Sequence, residues 1–259
     1  MIRDWFRAAT ARVIEDARQL GFARDLAAYK ARWERNASAW QPHLLASREC
    51  ALEAASRTQD RGLALVLGSG WCLDVPLEEL SGQFETVVLA DAAHPLEVRR
   101  RAERLGNVRL VGCDLTGCLG AVAACARTGR GQAVRPNFPD LPLEGGPGLT
   151  VSANTLSFLP LIPMERLWRT SKFDDAELEA LARAMVESHL AWLDTLPGVR
   201  CLIADRAWLA MDGQDTLVSD PLHGVTPPPP DRRWEWRYAP SPEAHPVRDV
   251  VHSVGASIF

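Results

Sequence analysis

Five small or acidic residues, each just after a short apolar run, have the types and spacing expected of a nucleotide-like ligand site: Gly68, Ser69, Gly70, Asp91 and Asp114. Glycines let a backbone approach a ligand closely and accept positive φ angles. A carboxylate accepts strong, charge-assisted hydrogen bonds, from ribose hydroxyls at the first acid and from an exocyclic amine at the second. A tight strand-to-helix turn would also explain the glycines, and a helix cap would also explain each acid.

Two further side chains are candidates for the reacting end of such a site. Asn154 follows another apolar run, and His223 stands in the segment "DPLHGV", where it could act as a base. Asn154 could equally end its strand, and a single histidine is more often a surface or packed residue. The sequence therefore offers Asn154 and His223 as catalytic candidates and leaves the catalytic group unknown.

Five short apolar runs predict the strands that would position these residues: 63–67, 86–90, 108–111, 149–153 and 199–204. Helical segments separate them, the clearest being 173–198, which Asp174 or Asp175 could cap. Alternating strands and helices predict a doubly wound α/β fold with a mainly parallel sheet. Two closing strand candidates have no helix between them and predict an antiparallel pair, which completes seven strands.

Residues 1–60 differ from the rest of the chain. Apolar residues recur there at three- and four-residue steps, and Gly21 and Gln41-Pro42 interrupt the pattern, so we expect two or three helices. These helices would pack on the core or cover a site as a lid. The expected division is a helical extension over 1–60 and a sheet domain over 61–259.

The glycine loop, the two acids and the closing strand pair together resemble class I S-adenosylmethionine-dependent methyltransferases, over roughly residues 62–259. The resemblance implies a Rossmann-like fold and S-adenosyl-L-methionine as cofactor. It places Gly68 and Gly70 at the methionine part of the cofactor, Asp91 at the ribose and Asp114 at the adenine. The activity that it implies is methyl transfer, which we expect to act on a small molecule.

The glycine loop also departs from the family pattern. Trp71 and Cys72 occupy the stretch where a third glycine usually follows. A binding or scaffold module without catalysis therefore remains a competing interpretation. Nicotinamide enzymes are less favoured, because Leu73 stands where the GxGxxG fingerprint needs its last glycine.

The composition of the chain argues against some classes of binding partner. The formal net charge of −4 and a pI of about 5.9 argue against nucleic acid and against an anionic membrane surface. The six cysteines form no C-x-x-C pair, so we expect reduced thiols and no metal site. We expect a soluble cytoplasmic protein with a small-molecule substrate, and the sequence does not indicate its oligomeric state.

Overall fold

Short apolar strands build the centre of the molecule. The structure is a computed structural model that describes residues 2–129, 133–170 and 172–259. Its strands are β1 Arg12–Val13, β2 Leu63–Leu67, β3 Thr86–Asp91, β4 Ala93–His94, β5 Val108–Gly112, β6 Leu149–Ala153, β7 Val199–Met211, β8 Thr216–Ser219, β9 Arg232–Ala239 and β10 Asp249–Ile258. Every residue of β2 and β6 is buried, as expected of central strands covered on both faces.

The main sheet has the order β5-β3-β2-β6-β7-β10-β9, with β8 paired to the far end of β7. The first five strands of that order run parallel, and β10 is antiparallel to both β7 and β9. The sequence-based prediction of a doubly wound, mainly parallel sheet with an antiparallel closing pair is therefore confirmed, but the sheet has eight strands and not seven, because β8 adds to β7. A separate two-stranded pair joins β1 to β4.

One strand is longer than the sequence predicts. The apolar run ends at Ala204, but β7 continues to Met211 and forms a hairpin with the exposed strand β8. Asp205 makes this possible, because its fully buried carboxylate accepts hydrogen bonds from the Ser157 hydroxyl at 3.0 Å and the Trp208 indole at 2.8 Å. A buried acid with such partners is tolerated inside a strand.

Nine helices occur within the described ranges: α1 Ile2–Thr10, α2 Glu15–Leu20, α3 Phe22–Arg35, α4 Ala37–Arg57, α5 Leu77–Ser81, α6 Leu96–Leu105, α7 Leu119–Thr128, α8 Leu161–Trp168 and α9 Asp175–Thr195. Asp174 caps α9 with a capping box that includes Glu177, in agreement with one of the two expected caps. No described helix is both long and apolar enough to cross a bilayer.

The N-terminal region holds four of these helices, not two or three. Gly21 separates α2 from α3 with φ +87°, as expected, but Pro42 lies inside α4 and does not end it. A proline in the second turn removes one backbone hydrogen bond. Burial of the α4 face that carries Trp40, Leu44 and Cys50, which packs mainly against β9 and β7, outweighs that loss.

Candidate functional site

A cavity of about 480 Å³ opens at the carboxyl ends of β2, β3, β5 and β6. Ligands of doubly wound sheets bind in such crevices, and the volume lies within the range of small-molecule sites. Helices α3 and α8 cover the cavity, and we call them the roof. Six of the seven candidate residues from the sequence line it: Gly68, Ser69, Gly70, Asp91, Asp114 and Asn154.

The two loop glycines do different things. Both have positive φ, +67° at Gly68 and +47° at Gly70. A Cβ on Gly68 would lie 2.8 Å from Thr155 Cγ2 and overlap the hydroxyl of that residue, which donates to the Leu67 carbonyl at 2.9 Å. A Cβ on Gly70 would meet only the Gly68 carbonyl oxygen, at 3.9 Å. Packing against Thr155 therefore requires a glycine at position 68, whereas Gly70 leaves open space beside the cavity.

Asp91 fixes the shape of this loop. Its Oδ2 accepts from the Gly70 backbone N–H at 2.7 Å, and its Oδ1 accepts from the Ala93 N–H at 3.0 Å. Burial raises the pKa of Asp91, although the nearby His94 charge and these backbone hydrogen bonds act in the opposite direction. Each carboxylate oxygen keeps a lone pair for a second donor, so the group can hold the loop and bind a ligand hydroxyl.

Asp114 acts as a helix cap, which is the alternative role that the sequence left open for it. Its Oδ1 accepts from the backbone N–H and the hydroxyl of Thr116, at 2.9 and 2.7 Å, and its Oδ2 accepts from the Leu119 N–H at 2.7 Å. The side chain thus ties the loop before α7 to the first residue of that helix. It still lines the cavity, next to the apolar side chains of Leu115 and Leu119.

Asn154 lies at the end of β6 and does more than end the strand. It has φ +52° and is only 6% exposed. Its Nδ2 donates to Asp74 Oδ2 at 2.7 Å and lies 3.2 Å from His43 Nε2, while its Oδ1 has no hydrogen-bond partner among the described residues. A strained and nearly buried amide with an unpartnered oxygen marks a functional position.

His223 is not part of this group. Its Nδ1 lies 2.9 Å from Glu179 Oε2 on α9, and it is absent from the cavity lining within the described ranges. The turn around it is held by Asp220, which accepts from the backbone N–H groups of Leu222 and Gly224. The structure therefore brings Asn154 to the cavity and leaves His223 outside it.

The sequence offered a lid as one of two roles for residues 1–60, but it identified none of the roof residues. Phe22, Asp25, Leu26, Tyr29 and Arg32 of α3 line the cavity, so the N-terminal region contributes directly to its wall. Their helical period indicated only an apolar stripe, and their distance from the strand ends in sequence concealed the contact.

Trp71 links the glycine loop to the roof. The indole is 5% exposed, and its Nε1–H donates to the Leu26 carbonyl at 2.8 Å. The ammonium of Lys30 lies 4.9 Å from the ring centroid, and the Arg7 guanidinium lies 5.9 Å from it. Trp71, which lies in the stretch where a further glycine was expected, thus holds α3 over the cavity and leaves the cavity open.

We expect Trp71→Phe to loosen the roof without unfolding the protein. The change removes one hydrogen bond, worth about 1 kcal/mol, and keeps an aromatic ring in place. Backbone amides of α3 should then exchange with solvent about fivefold faster, which hydrogen exchange with mass spectrometry measures. Trp168→Phe, at an indole that is 63% exposed, is the matched control. Unchanged exchange in α3 would contradict the linking role of Trp71.

Comparison with known proteins adds distant likenesses in fold. No family model matches the chain, and no curated protein does. Among solved structures, the chain is similar to the N-methyltransferase NodS from Bradyrhizobium japonicum in complex with S-adenosylhomocysteine, with 10% identity, TM-score 0.40, and 84% of this chain and 86% of that chain covered. It is also similar to the Burkholderia thailandensis 1,6-didemethyltoxoflavin N1-methyltransferase, with 14% identity, TM-score 0.35 and 88% of each chain covered.

The site contains no evident metal centre in the part of the chain that the structure describes. No group of three or more His, Cys, Asp or Glu side chains is placed there to hold a metal ion.

Proposed function

We propose that this protein transfers a methyl group from S-adenosylmethionine to a small molecule. The observation that carries the proposal is the cavity itself, which lies between the open backbone at Gly70 and the carboxylate of Asp91 at the carboxyl ends of four parallel strands. That location, that volume and that pair of groups suit an adenosyl ligand.

The residues present fit such a cofactor. Gly70 leaves space for the methionine part, Asp91 has lone pairs for the ribose hydroxyls, and Leu115 and Leu119 offer apolar surface for the adenine. The Ser69 hydroxyl, on a residue that is 2% exposed, has no hydrogen-bond partner among the described residues. An unpartnered buried hydroxyl beside the loop is a further group that a ligand would satisfy.

The charge of the lining suits a cationic ligand. Five acids face the cavity: Asp25, Asp74, Asp91, Asp114 and Glu165. Within the described lining, the only basic side chain is that of Arg32, whose guanidinium already contacts Tyr238 and Glu243. An excess of carboxylates at a closed site raises the local concentration of cations.

Bound S-adenosylmethionine would supply an electrophilic methyl group on a sulfonium that leaves as a neutral thioether. The chain's own residues then have a limited task, since a neutral leaving group needs no acid. They hold the nucleophile in line with the methyl carbon, which can account for about 7–11 kcal/mol of the barrier. They also exclude water, for which the roof formed by α3 and α8 is placed.

The N-terminal region would have two roles in this function. We divide the chain into a helical extension over 1–60 and a sheet domain over 61–259. Helix α4 braces the sheet through its buried face, while α3 covers the cavity as a lid. Entry of a ligand would require α3 to move away from Trp71, with Gly21 as the flexible joint before it.

Isothermal titration with S-adenosylmethionine and S-adenosylhomocysteine tests the proposal. We expect saturable binding by the native protein, and in Asp91→Ala a loss of affinity of about 100-fold or more, because two charge-assisted hydrogen bonds disappear. Asp194→Ala, an exposed acid at the end of α9, is the matched control. No binding by the native protein would overturn the proposal, and circular dichroism would confirm that Asp91→Ala is folded.

A binding module without turnover is the second candidate. The position of His223 favours it, since the histidine that the sequence offered as a base pairs with Glu179 and is absent from the described cavity lining. Binding of S-adenosylhomocysteine together with no transfer of a labelled methyl group to any amine or hydroxyl acceptor would favour this candidate.

A further inference from the structure

One end of the cavity has an aromatic wall. Tyr29, Phe158 and Tyr238 all line the cavity, and we call these three residues the aromatic wall. The ring centroid of Phe158 lies 6.3 Å from that of Tyr29 and 6.3 Å from that of Tyr238. They come from α3, from the segment after β6 and from β9, so the fold assembles them from three distant parts of the sequence.

Behind the aromatic wall, Trp40 and His252 fix its two tyrosines. The Trp40 ring packs against Tyr29 at 5.0 Å and stacks on Tyr238 at 5.4 Å, and the His252 ring stacks on Tyr238 at 4.3 Å. The Tyr238 hydroxyl accepts from Arg32 at 2.6 Å. Arg32 also lies over the Tyr238 ring, with its guanidinium carbon 4.8 Å from the centroid. Tyr238 therefore supports the aromatic wall, while Tyr29 and Phe158 offer the ring surface for a ligand.

A carboxylate shares the cavity with these rings. Asp74 is half-buried, lines the cavity and accepts from Asn154 at 2.7 Å. The neighbouring Asn154 Oδ1 has no hydrogen-bond partner among the described residues, so this end of the cavity holds two oxygen acceptors, one of them unpartnered. Oxygen acceptors beside aromatic faces form a surface for a group that carries both N–H bonds and positive charge.

We propose that the methyl acceptor is an amine, held with its nitrogen at Asp74 and Asn154 and against the aromatic wall. This inference rests on the proposed methyltransferase function and names the substrate class of the same cavity. Aromatic faces attract an ammonium with or without N–H bonds, so they hold the substrate and its methylated product alike.

The reaction balances with groups in the cavity. The bound ammonium first gives one N–H proton to the Asp74 carboxylate, from which it passes to water. The lone pair of the neutral amine nitrogen then forms the new N–C bond to the methyl carbon, the C–S bond breaks with its electron pair left on sulfur, and the positive charge passes to the methylated nitrogen. Burial raises the pKa of Asp74, which brings its proton affinity closer to that of an amine.

Other acceptors fit this cavity less well. A hydroxyl acceptor has to approach an oxyanion in the transition state, and the carboxylates of Asp25, Asp74 and Glu165 on the same lining would oppose that charge. A carboxylate or phosphate substrate meets the same repulsion, and Arg32 is already engaged by Glu243 and Tyr238. The charges of the lining thus select a cation over an anion of the same size.

Three probes of equal size test the inference: benzylamine, benzyl alcohol and benzoate. Each is titrated by ligand-observed NMR into the protein saturated with S-adenosylhomocysteine. We expect benzylamine to bind at least about tenfold more tightly than either of the others. Asp74→Asn should remove most of that preference, and Glu103→Gln, an exposed acid on α6, should leave it unchanged.

The experiment distinguishes failure of the proposed function from failure of the amine assignment. If S-adenosylhomocysteine does not bind, the proposed function fails before the amine question is reached. If it binds and benzylamine shows no greater affinity than the other two probes, absence of binding included, the amine subsite is overturned. The ranking of probes on the native protein needs no variant, so a poorly folded Asp74→Asn would not remove the test. A preference that survives in folded Asp74→Asn would also overturn the assignment.

Discussion

Gly68→Ala is expected to lower the free energy of unfolding by about 3–4 kcal/mol, and Gly70→Ala by only about 1 kcal/mol. Both residues have positive φ, so both variants carry backbone strain. Only at Gly68 does the added methyl group also overlap Thr155, whose hydroxyl is fixed by its bond to the Leu67 carbonyl. For ligand binding we expect the opposite, with the larger effect in Gly70→Ala. The methyl group at Gly70 occupies space beside the cavity and should weaken binding of S-adenosylhomocysteine about tenfold or more.

Urea unfolding and isothermal titration on the two variants provide these numbers. Each variant is the control of the other, since the two differ in surroundings and not in chemistry. Equal losses of stability would show that packing on Thr155 does not set the requirement at Gly68. Undiminished binding by Gly70→Ala would place the ligand elsewhere than beside the loop.

The same pair shows why the sequence could not decide what the loop is for. A glycine pair after a buried strand is compatible with a tight turn and with a ligand cradle. The structure contains one of each, a packed turn at Gly68 and an open position at Gly70. The difference depends on Thr155, which is 87 residues further along the chain than Gly68 and whose position no local pattern reveals.

The strands and their mainly parallel arrangement were predictable because the signal is local. A run such as Leu63–Leu67 is apolar throughout, which is typical of a strand buried on both faces, and the alternation with helices leaves few parallel topologies. Candidate residues just beyond such strands were predictable for the same reason. Asp91 and Asn154 line the cavity because the carboxyl ends of parallel strands meet at one edge.

The remaining site residues depend on long-range contacts. The Trp71 indole meets the Leu26 carbonyl across 45 residues, and Asn154 meets Asp74 across 80. His223 shows the limit of local sequence patterns in the other direction. Its position after a strand suggested that it belongs to the site, but its side chain pairs with Glu179. Residue type and spacing therefore located the edge of the sheet where the site lies, and tertiary packing chose which side chains surround it.

Acid is expected to destabilise the protein through two buried histidines. Burial lowers the pKa of His43 to about 3 and that of His189 to about 4. The unfolded chain binds these protons near pH 6.5, so each histidine contributes stability that is fully present above pH 6.5. That stability is lost as the pH falls towards the folded pKa.

Between pH 7.5 and 4.5, each histidine should lower the unfolding free energy by about 2–3 kcal/mol, and the two together by about 5 kcal/mol. Asp25, Asp74 and Asp91 oppose this trend, because burial raises the pKa of each and the folded state then takes up protons more readily than the unfolded chain. The net loss should therefore be smaller than the histidine sum. Urea unfolding at several pH values measures it.

His189→Gln isolates one of the two contributions. His189 is 1% exposed, and its Nε2 lies 3.0 Å from the Ser152 hydroxyl, a contact that a glutamine amide can replace. The variant should be less stable at pH 7.5 and yet lose about 3 kcal/mol less than the native protein on going to pH 4.5. His245→Gln, at an exposed position, is the matched control. An unchanged pH difference in His189→Gln would mean that His189 does not titrate with unfolding.

His43 connects this titration to the proposed site. Its Nδ1 accepts from the Trp234 indole at 3.0 Å, its ring stacks on Trp236 with centroids 3.9 Å apart, and its Nε2 lies 3.2 Å from Asn154. A proton on Nδ1 would break the Trp234 hydrogen bond, since both groups would then be donors. The neutral ring is therefore the form that packs beside Asn154. Because folded His43 takes up its proton only near pH 3, ligand binding should persist through the pH range in which the unfolding free energy falls, for as long as the protein stays folded.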